Sequence, residues 1–282
     1  IARADETGEH ALGIDLHLRL GRVLVDEVKR VDDALVEFRA VYEIDGENAQ
    51  AIAALERLYR ETGRYAELLG IYEKKRDLAS DPAEKKQILY HIAELYVSPI
   101  NDRASAILTY NKVLEEEPMD AQALAALDGL YLAQADWDNY ADVLRKRIEL
   151  EDEETNLVDL KYRLGSTLEK HLSDAAGALE NYREILLIDP NNEPARVALE
   201  ALLGNEALRA EAASILQEIY EGLGDWEKLI QALEILAQPK SFRRGGGQGP
   251  KPPLREFGTD PVSSKPVVAK DGRFGVYVTD GE

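Results

Sequence analysis

The sequence predicts an all-α solenoid of antiparallel helix pairs, and three observations carry that prediction. First, residues recur at a step of 72: Phe38, Tyr110 and Tyr182; Gly21, Ala93 and Gly165; Ala34, Ala106 and Ala178; Leu55, Leu127 and Leu199. A fixed period of this size marks stacked supersecondary units that bury a continuous core between neighbours. Second, apolar residues fall at i, i+3, i+4 and i+7, as in Leu55, Leu58, Tyr59 and Leu127, Leu130, Tyr131. That is the stripe of an amphipathic helix. Third, short loops carry breakers such as Asp81-Pro82 and Asp189-Pro190, which makes consecutive helices antiparallel neighbours.

Each 72-residue cycle divides into two hairpins. The first cycle places helices near 12–28, 33–44, 49–62 and 65–78, and the second near 82–98, 103–116, 121–133 and 137–150. The third places them near 155–170, 175–187 and 191–203 and then departs. Tyr220 and Trp226 correspond to Tyr131 and Trp137 at a spacing of 89, so 206–222 is expected to be a lengthened or additional helix. After Leu236 the helical period stops. Asp271-Gly272 between two Val-rich runs is a hairpin signal, with Val267 and Val268 expected to pair with Phe274, Val276 and Val278.

Charge marks the same boundary. Residues 1–238 hold 26 Lys+Arg against 49 Asp+Glu, whereas 239–282 hold 8 against 5, with 8 of the 20 glycines and 6 of the 11 prolines. The expected domains are therefore an acidic helical array over 1–238, a flexible basic linker over 239–253, and a small module over 254–282. There is no cysteine, which excludes disulfides and thiolate metal sites. No apolar run is long enough for a membrane span, and the charged first twenty residues do not read as a signal peptide. These features favour the cytoplasm. The chain opens at Ile1 and is expected to be a piece of a longer protein, so an upstream signal or anchor stays open. Its N-terminal face is expected to self-associate where upstream helix pairs would have covered it.

The odd-numbered hairpins carry Leu20-Gly21, Ile92-Ala93 and Leu164-Gly165, then Ala34, Ala106 and Ala178, then the aromatic residue, then Gly46, Pro118 or Pro190. This order resembles the tetratricopeptide (TPR) repeat over roughly residues 12–236. The even-numbered hairpins depart from it, with Glu56, Asp128 and Glu200 where a small residue is usual and an aromatic loop residue at Tyr65 and Trp137. The resemblance implies a non-enzymatic scaffold without a cofactor. Such a scaffold binds a protein or peptide partner on its concave face, lined by the first helix of each hairpin. The positions implied are Leu18, Arg22, Tyr90, Glu94, Tyr162 and Ser166, with Ala53, Arg57, Ala125 and Gly129 in the even hairpins. Tyr90 and Tyr162 would pack an apolar side chain of the partner. The Lys/Asn carboxylate clamp of chaperone-binding TPR domains is absent. A partner of basic or mixed charge suits the acidic array better than an acidic one.

The Asp260-Pro261-Val262-Ser263, Lys265-Pro266, Asp271-Gly272-Arg273-Phe274-Gly275 and Tyr277-Val278-Thr279-Asp280-Gly281-Glu282 stretches are similar to a C-terminal repeat of actinobacterial-type DNA topoisomerase I. In that family the repeats grip single-stranded DNA. The resemblance implies a second reading, in which Arg243, Arg244, Lys251, Lys270 and Arg273 meet phosphates and Phe274 and Tyr277 stack on bases. Nothing in the chain resembles that enzyme's catalytic or metal-binding core. Two unrelated resemblances meet near residue 238, by natural fusion or by joining of two sequences.

Other candidates have plainer readings. His10, His17, His91 and His171 lack metal-ligand spacing. The runs Glu115-Glu116-Glu117 and Glu151-Asp152-Glu153-Glu154 read as solvated faces or helix N-terminal charge. Lys74-Lys75-Arg76 and Arg145-Lys146-Arg147 read as cations placed at helix C-termini, with a phosphate or acidic-peptide contact as the alternative. Gly245–Gly249 lacks the Gly-Lys-[Ser/Thr] ending of a phosphate loop.

Overall fold

A computed structural model describes residues 10–237 and, beyond them, strands at 255–259, 266–272 and 275–279. Thirteen α-helices follow one another among the described residues. They are α1 His10–Val23, α2 Val31–Ile44, α3 Ala49–Thr62, α4 Tyr65–Leu78, α5 Pro82–Val97, α6 Arg103–Glu116, α7 Ala121–Gln134, α8 Trp137–Leu150, α9 Glu154–Lys170, α10 Ala175–Ile188, α11 Glu193–Leu202, α12 Arg209–Leu223 and α13 Trp226–Ala237. Up to α12 each helix packs on its sequence neighbours, which is the antiparallel solenoid that the period predicts. The chain divides into two compact units, 1–232 and 233–282.

The helix starts come from side-chain caps on the otherwise unpaired first-turn amides. Asn48 accepts from Ala51 N at 3.2 Å, Asp120 from Ala123 N at 2.8 Å, Asp174 from Gly177 N at 2.8 Å and Asn192 from Ala195 N at 3.1 Å. Pro82 follows the capping Asp81 at the first helical position, where the missing N–H costs nothing. The period also reaches backbone conformation. Gly63, Ala135 and Gly224 all cap helices in the left-handed region, at φ 69°, 55° and 69°, at spacings of 72 and 89.

The small position of the odd hairpins has a measurable cause. A Cβ on Gly21 would lie 2.7 Å from Phe38 Cζ, and one on Gly165 would lie 2.8 Å from Tyr182 Cε1. The two helices of each hairpin touch backbone to ring, and Ala93 is fully buried at the equivalent point opposite Tyr110.

Buried side chains form two clusters. The first gathers α1 to α4 around Leu35, Phe38, Leu55, Leu58 and Leu68, and the second gathers α5 to α13 around Leu124, Leu127, Leu144, Tyr182 and Leu199. Helix α5 serves both, with Ile88 and Ile92 in the first and Leu89, Tyr90 and Ala93 in the second. A helix that is apolar on two sides is what an interior solenoid position demands.

Two expectations are corrected, and an open alternative is decided. The helix expected over 12–28 is α-helical only to Val23, continues as a π-helical stretch Leu24–Val28, and ends on Lys29 at φ 61°. Of a lengthened or an additional helix near 206–222, the structure has the additional one, α12, because the chain turns after Leu202 and restarts at Arg209. In the second unit β1 Arg255–Thr259, β2 Pro266–Gly272 and β3 Gly275–Thr279 form an antiparallel sheet in that order, one strand more than the expected hairpin. Asp271 and Gly272 do not make the turn: they pair with Val276 and Gly275. A turn at Asp271-Gly272 would set Lys270 opposite Arg273, a like-charge pair that destabilises a sheet. In the observed register Lys270 faces Tyr277. The linker expected over 239–253 lies outside the described residues.

Candidate peptide-binding face

Side-chain hydrogen bonds link the first helices of adjacent hairpins at particular points. Arg22 Nη2 of α1 donates to Gln50 Oε1 of α3 at 2.5 Å, and the Tyr90 hydroxyl of α5 donates to the carboxylate of Asp120, the cap of α7. On this face Arg22, Ala53, Arg57, Glu94, Ala125 and Gly129 are exposed, and Tyr162 and Ser166 are half-buried. Leu18 and Tyr90 are buried, so they are unavailable to a partner. Leu18 belongs to the first core. Tyr90 is held by its hydroxyl on Asp120 and by its ring, 6.2 Å from that of Tyr110. Burial and the Asp120 hydrogen bond both push the Tyr90 phenol well above its ordinary range. Burial opposes the charge on Asp120, but donors from Tyr90, Ala123 N and Lys86 outweigh it and hold the carboxyl below its usual range.

A feature the residue pattern contained, and sequence reasoning passed over, is a carboxylate series on the even hairpins. Glu56, Asp128 and Glu200 take the place of the small residue, and each receives a cation from a later helix. Lys75 Nζ and Arg60 Nη2 each lie 2.8 Å from Glu56. Arg147 and Arg163 both donate to Asp128. Lys228 Nζ lies 2.7 Å from Glu200, which also accepts from the Tyr220 hydroxyl at 2.5 Å. For Glu56 and Glu200 burial works against ionisation, but these donors prevail and hold both carboxyls below the ordinary range. Lys75 therefore reaches across to the half-buried Glu56 and Arg147 to the buried Asp128, and the helix-dipole reading of their two basic clusters is incomplete. The signal was the acid at 56 and 128 with a cation 19 residues on in both cases.

Beside the first of these clasps, α3, α4 and α5 enclose a cleft of about 640 Å³ lined by Tyr65, Tyr72, His91, Glu94, Glu56 and Pro99. The Tyr72 and His91 rings stack at 5.4 Å and 22°, and Glu94 lies 3.7 Å from His91 Nδ1 while remaining mostly exposed. The cleft combines flat rings with a solvent-facing carboxylate at its rim. Tyr72 is buried, so the groups open to a partner are the exposed His91 ring, which suits the aliphatic stem of a long side chain, and the exposed Glu94 carboxylate, which suits its cation.

Among the described residues no group of three His, Asp or Glu could hold a metal ion. No described helix is long and apolar enough to cross a membrane. Of the candidate DNA contacts, Lys270 and Tyr277 are register partners on β2 and β3. Arg243, Arg244, Lys251, Arg273 and Phe274 lie outside the described residues.

The fold and this face define a TPR-like helical solenoid. Residues 51–86 match the tetratricopeptide repeat family, and residues 260–282 match the topoisomerase C-terminal repeat family. Among solved structures, that of Naa15/Naa10 bound to HypK-THB superposes with a TM-score of 0.50 at 17% identity, over 82% of this chain and 35% of that one. Among curated proteins, DNA topoisomerase 1 of Streptomyces coelicolor (strain ATCC BAA-471 / A3(2) / M145) is 67% identical over 54 residues, which is 19% of this chain and 5% of that enzyme. DNA topoisomerase 1 of Mycobacterium tuberculosis (strain ATCC 25618 / H37Rv) is 65% identical over 54 residues, 19% of this chain and 6% of that enzyme. The chain thus spans about a twentieth of the length of these curated relatives. The matched stretch exceeds the 44 residues from 239 to 282, so it takes in residues outside that tail.

Proposed function

We propose that the helical array is a non-enzymatic scaffold that binds a protein or peptide segment carrying Lys or Arg. The α3–α4–α5 cleft is its most selective point. The observation that carries this reading is the exposed His91 ring, backed by the buried Tyr72, beside the exposed Glu94 carboxylate in one cleft. Long-range charge supports it, because the surplus of acids over bases in residues 1–238 attracts a basic segment and repels an acidic one or a nucleic acid. The exposed Arg22, Arg57, Ala53, Ala125, Gly129, Tyr162 and Ser166 extend the contact surface along the neighbouring first helices. A fluorescein-labelled pool of Arg/Lys-containing peptides is expected to bind the full chain, and Glu94→Lys to weaken binding at least about tenfold, a loss of about 1.4 kcal/mol. A control charge reversal at the exposed Glu149 should leave it within about twofold. Equal weakening by both reversals would reduce the effect to net charge and remove the cleft from the mechanism.

A second reading assigns single-stranded DNA binding to the tail. It is supported by the repeat-family match at 260–282 and by the register that pairs Lys270 with Tyr277 on adjacent strands. Anisotropy of a labelled single-stranded oligonucleotide should rise with the native chain and fall as salt rises. The double charge reversal Lys270→Glu, Arg273→Glu should abolish the rise. Binding that survives the reversal would exclude this module as the DNA contact.

A further inference from the structure

We infer that the segment bound by the array is extended and carries two cationic side chains, at i and i+4, held at the two ends of one groove between α3 and α5. This rests on the reading of the α3–α4–α5 cleft as a Lys/Arg site, and it adds a second site and a spacing. The second site is a smaller cavity of about 240 Å³ at the other end of the same three helices. Ile52, Ala53, Leu78 and Ala79 supply its apolar wall, and the exposed Glu47 and Glu84 also line it. Leu78 is 37% exposed. The cavity therefore offers apolar surface to an aliphatic stem and carboxylates to its cation, as His91 and Glu94 do in the cleft.

The two cavities are ends of one groove, because Glu56 lines both. From Glu56, α3 runs back toward Glu47 at one end and on to Arg60 at the other. Alongside, α5 runs from Glu84 at the first end to Glu94 at the second, and α4 runs the opposite way. The two cations in the groove, Lys75 and Arg60, are both engaged by Glu56. The charges left open to a partner are then Glu47 and Glu84 at one end and Glu94 at the other. Two acidic ends with a neutralised middle match two separated cations better than an unbroken basic run.

Helix geometry sets the separation. Glu84 and Glu94 stand ten residues apart on α5, which at ~1.5 Å per residue is about 15 Å along the groove. An extended segment rises about 3.3 Å per residue and turns residues i, i+2, i+4 and i+6 to one face. Steps of two, four and six then span about 7, 13 and 20 Å. The step of four comes nearest, and the long stem of Lys or Arg covers the remainder. A helical segment would need a step of about ten or eleven.

Fluorescence anisotropy of the full chain with labelled Ala/Ser peptides tests this. The peptides carry one Arg, or two Arg at steps of two, four, six or eleven. The step-four peptide should bind at least about tenfold tighter than the one-Arg peptide, because its second contact is made at high effective concentration. Glu47→Gln with Glu84→Gln should bring the step-four peptide to the one-Arg level and leave the one-Arg peptide within about twofold, with circular dichroism confirming unchanged helix content. Equal affinity at every spacing overturns the inference. So does a preference for step eleven, or a step-four preference that survives the double change. The cleft itself is judged separately, by whether Glu94→Lys weakens the one-Arg peptide. That effect alongside equal affinity at every spacing would keep the cleft and remove the second site. Absence of binding by every peptide overturns both.

Discussion

Asp128→Ala is expected to destabilise the array by about 3–5 kcal/mol, the range for breaking a buried ion pair from one side. The Asp128 side chain is 5% exposed and holds two guanidinium groups, Arg147 of α8 and Arg163 of α9. Arg163 also donates to the Tyr140 hydroxyl from Nε at 3.0 Å and Nη2 at 2.7 Å. Burial works against its charge, and the Tyr140 and Asp128 contacts outweigh that and raise its pKa. Removing the carboxylate strands two partly buried cations, on two helices, at once. Replacing the whole set, Asp128→Leu with Arg147→Met and Arg163→Met, should recover most of the loss, because an apolar cluster of similar volume avoids the desolvation cost. Urea denaturation followed by circular dichroism measures both. A loss below about 1 kcal/mol for Asp128→Ala would show that the pair acts like an exposed surface bridge.

Leu127→Ala should cost a similar amount, about 3–5 kcal/mol, by a different route. Leu127 is fully buried in the second core, and removing its branched end leaves a cavity that close-packed helices cannot collapse around. The two-cluster core predicts where the loss appears. Because α5 alone shares its faces between the clusters, amide hydrogen exchange should quicken in α6 to α10 while α2 and α3 keep most of their protection. Solenoid stability is a sum of unit and neighbour terms rather than one global transition. A uniform loss of protection from α2 to α10 would mean that α5 couples the two cores into one cooperative block.

Much of the fold was legible in the residue pattern. Helices expected at 49–62 and 65–78 appear as Ala49–Thr62 and Tyr65–Leu78, because a recurring stripe and a recurring breaker mark both ends of a repeat unit. Gly21 and Gly165 announced the close approach that Phe38 and Tyr182 make to them. Less legible were places where the outcome depends on small differences in backbone hydrogen bonding. The π-helical stretch after Val23 changes which carbonyl each amide meets, and Leu24 to Val28 contains nothing that a continued α-helix would refuse. The strand β1 and the pairing of Asp271 and Gly272 with Val276 and Gly275 depended on register, which a short Val-rich run leaves weakly specified.

The candidate face divides along the same line. Residue pattern alone determined the repeat, the helix order, the apolar stripes and the acidic surplus, because these follow from local periodicity and composition. Only the tertiary structure decided that Tyr90 and Leu18 are core residues, that Glu94 stands open beside the Tyr72–His91 stack, and that Asp128 is clasped by Arg163 from 35 residues away. Exposure and ion pairing belong to the space between helices. Three helices must be in place before a carboxylate is desolvated and a cation arrives to hold it.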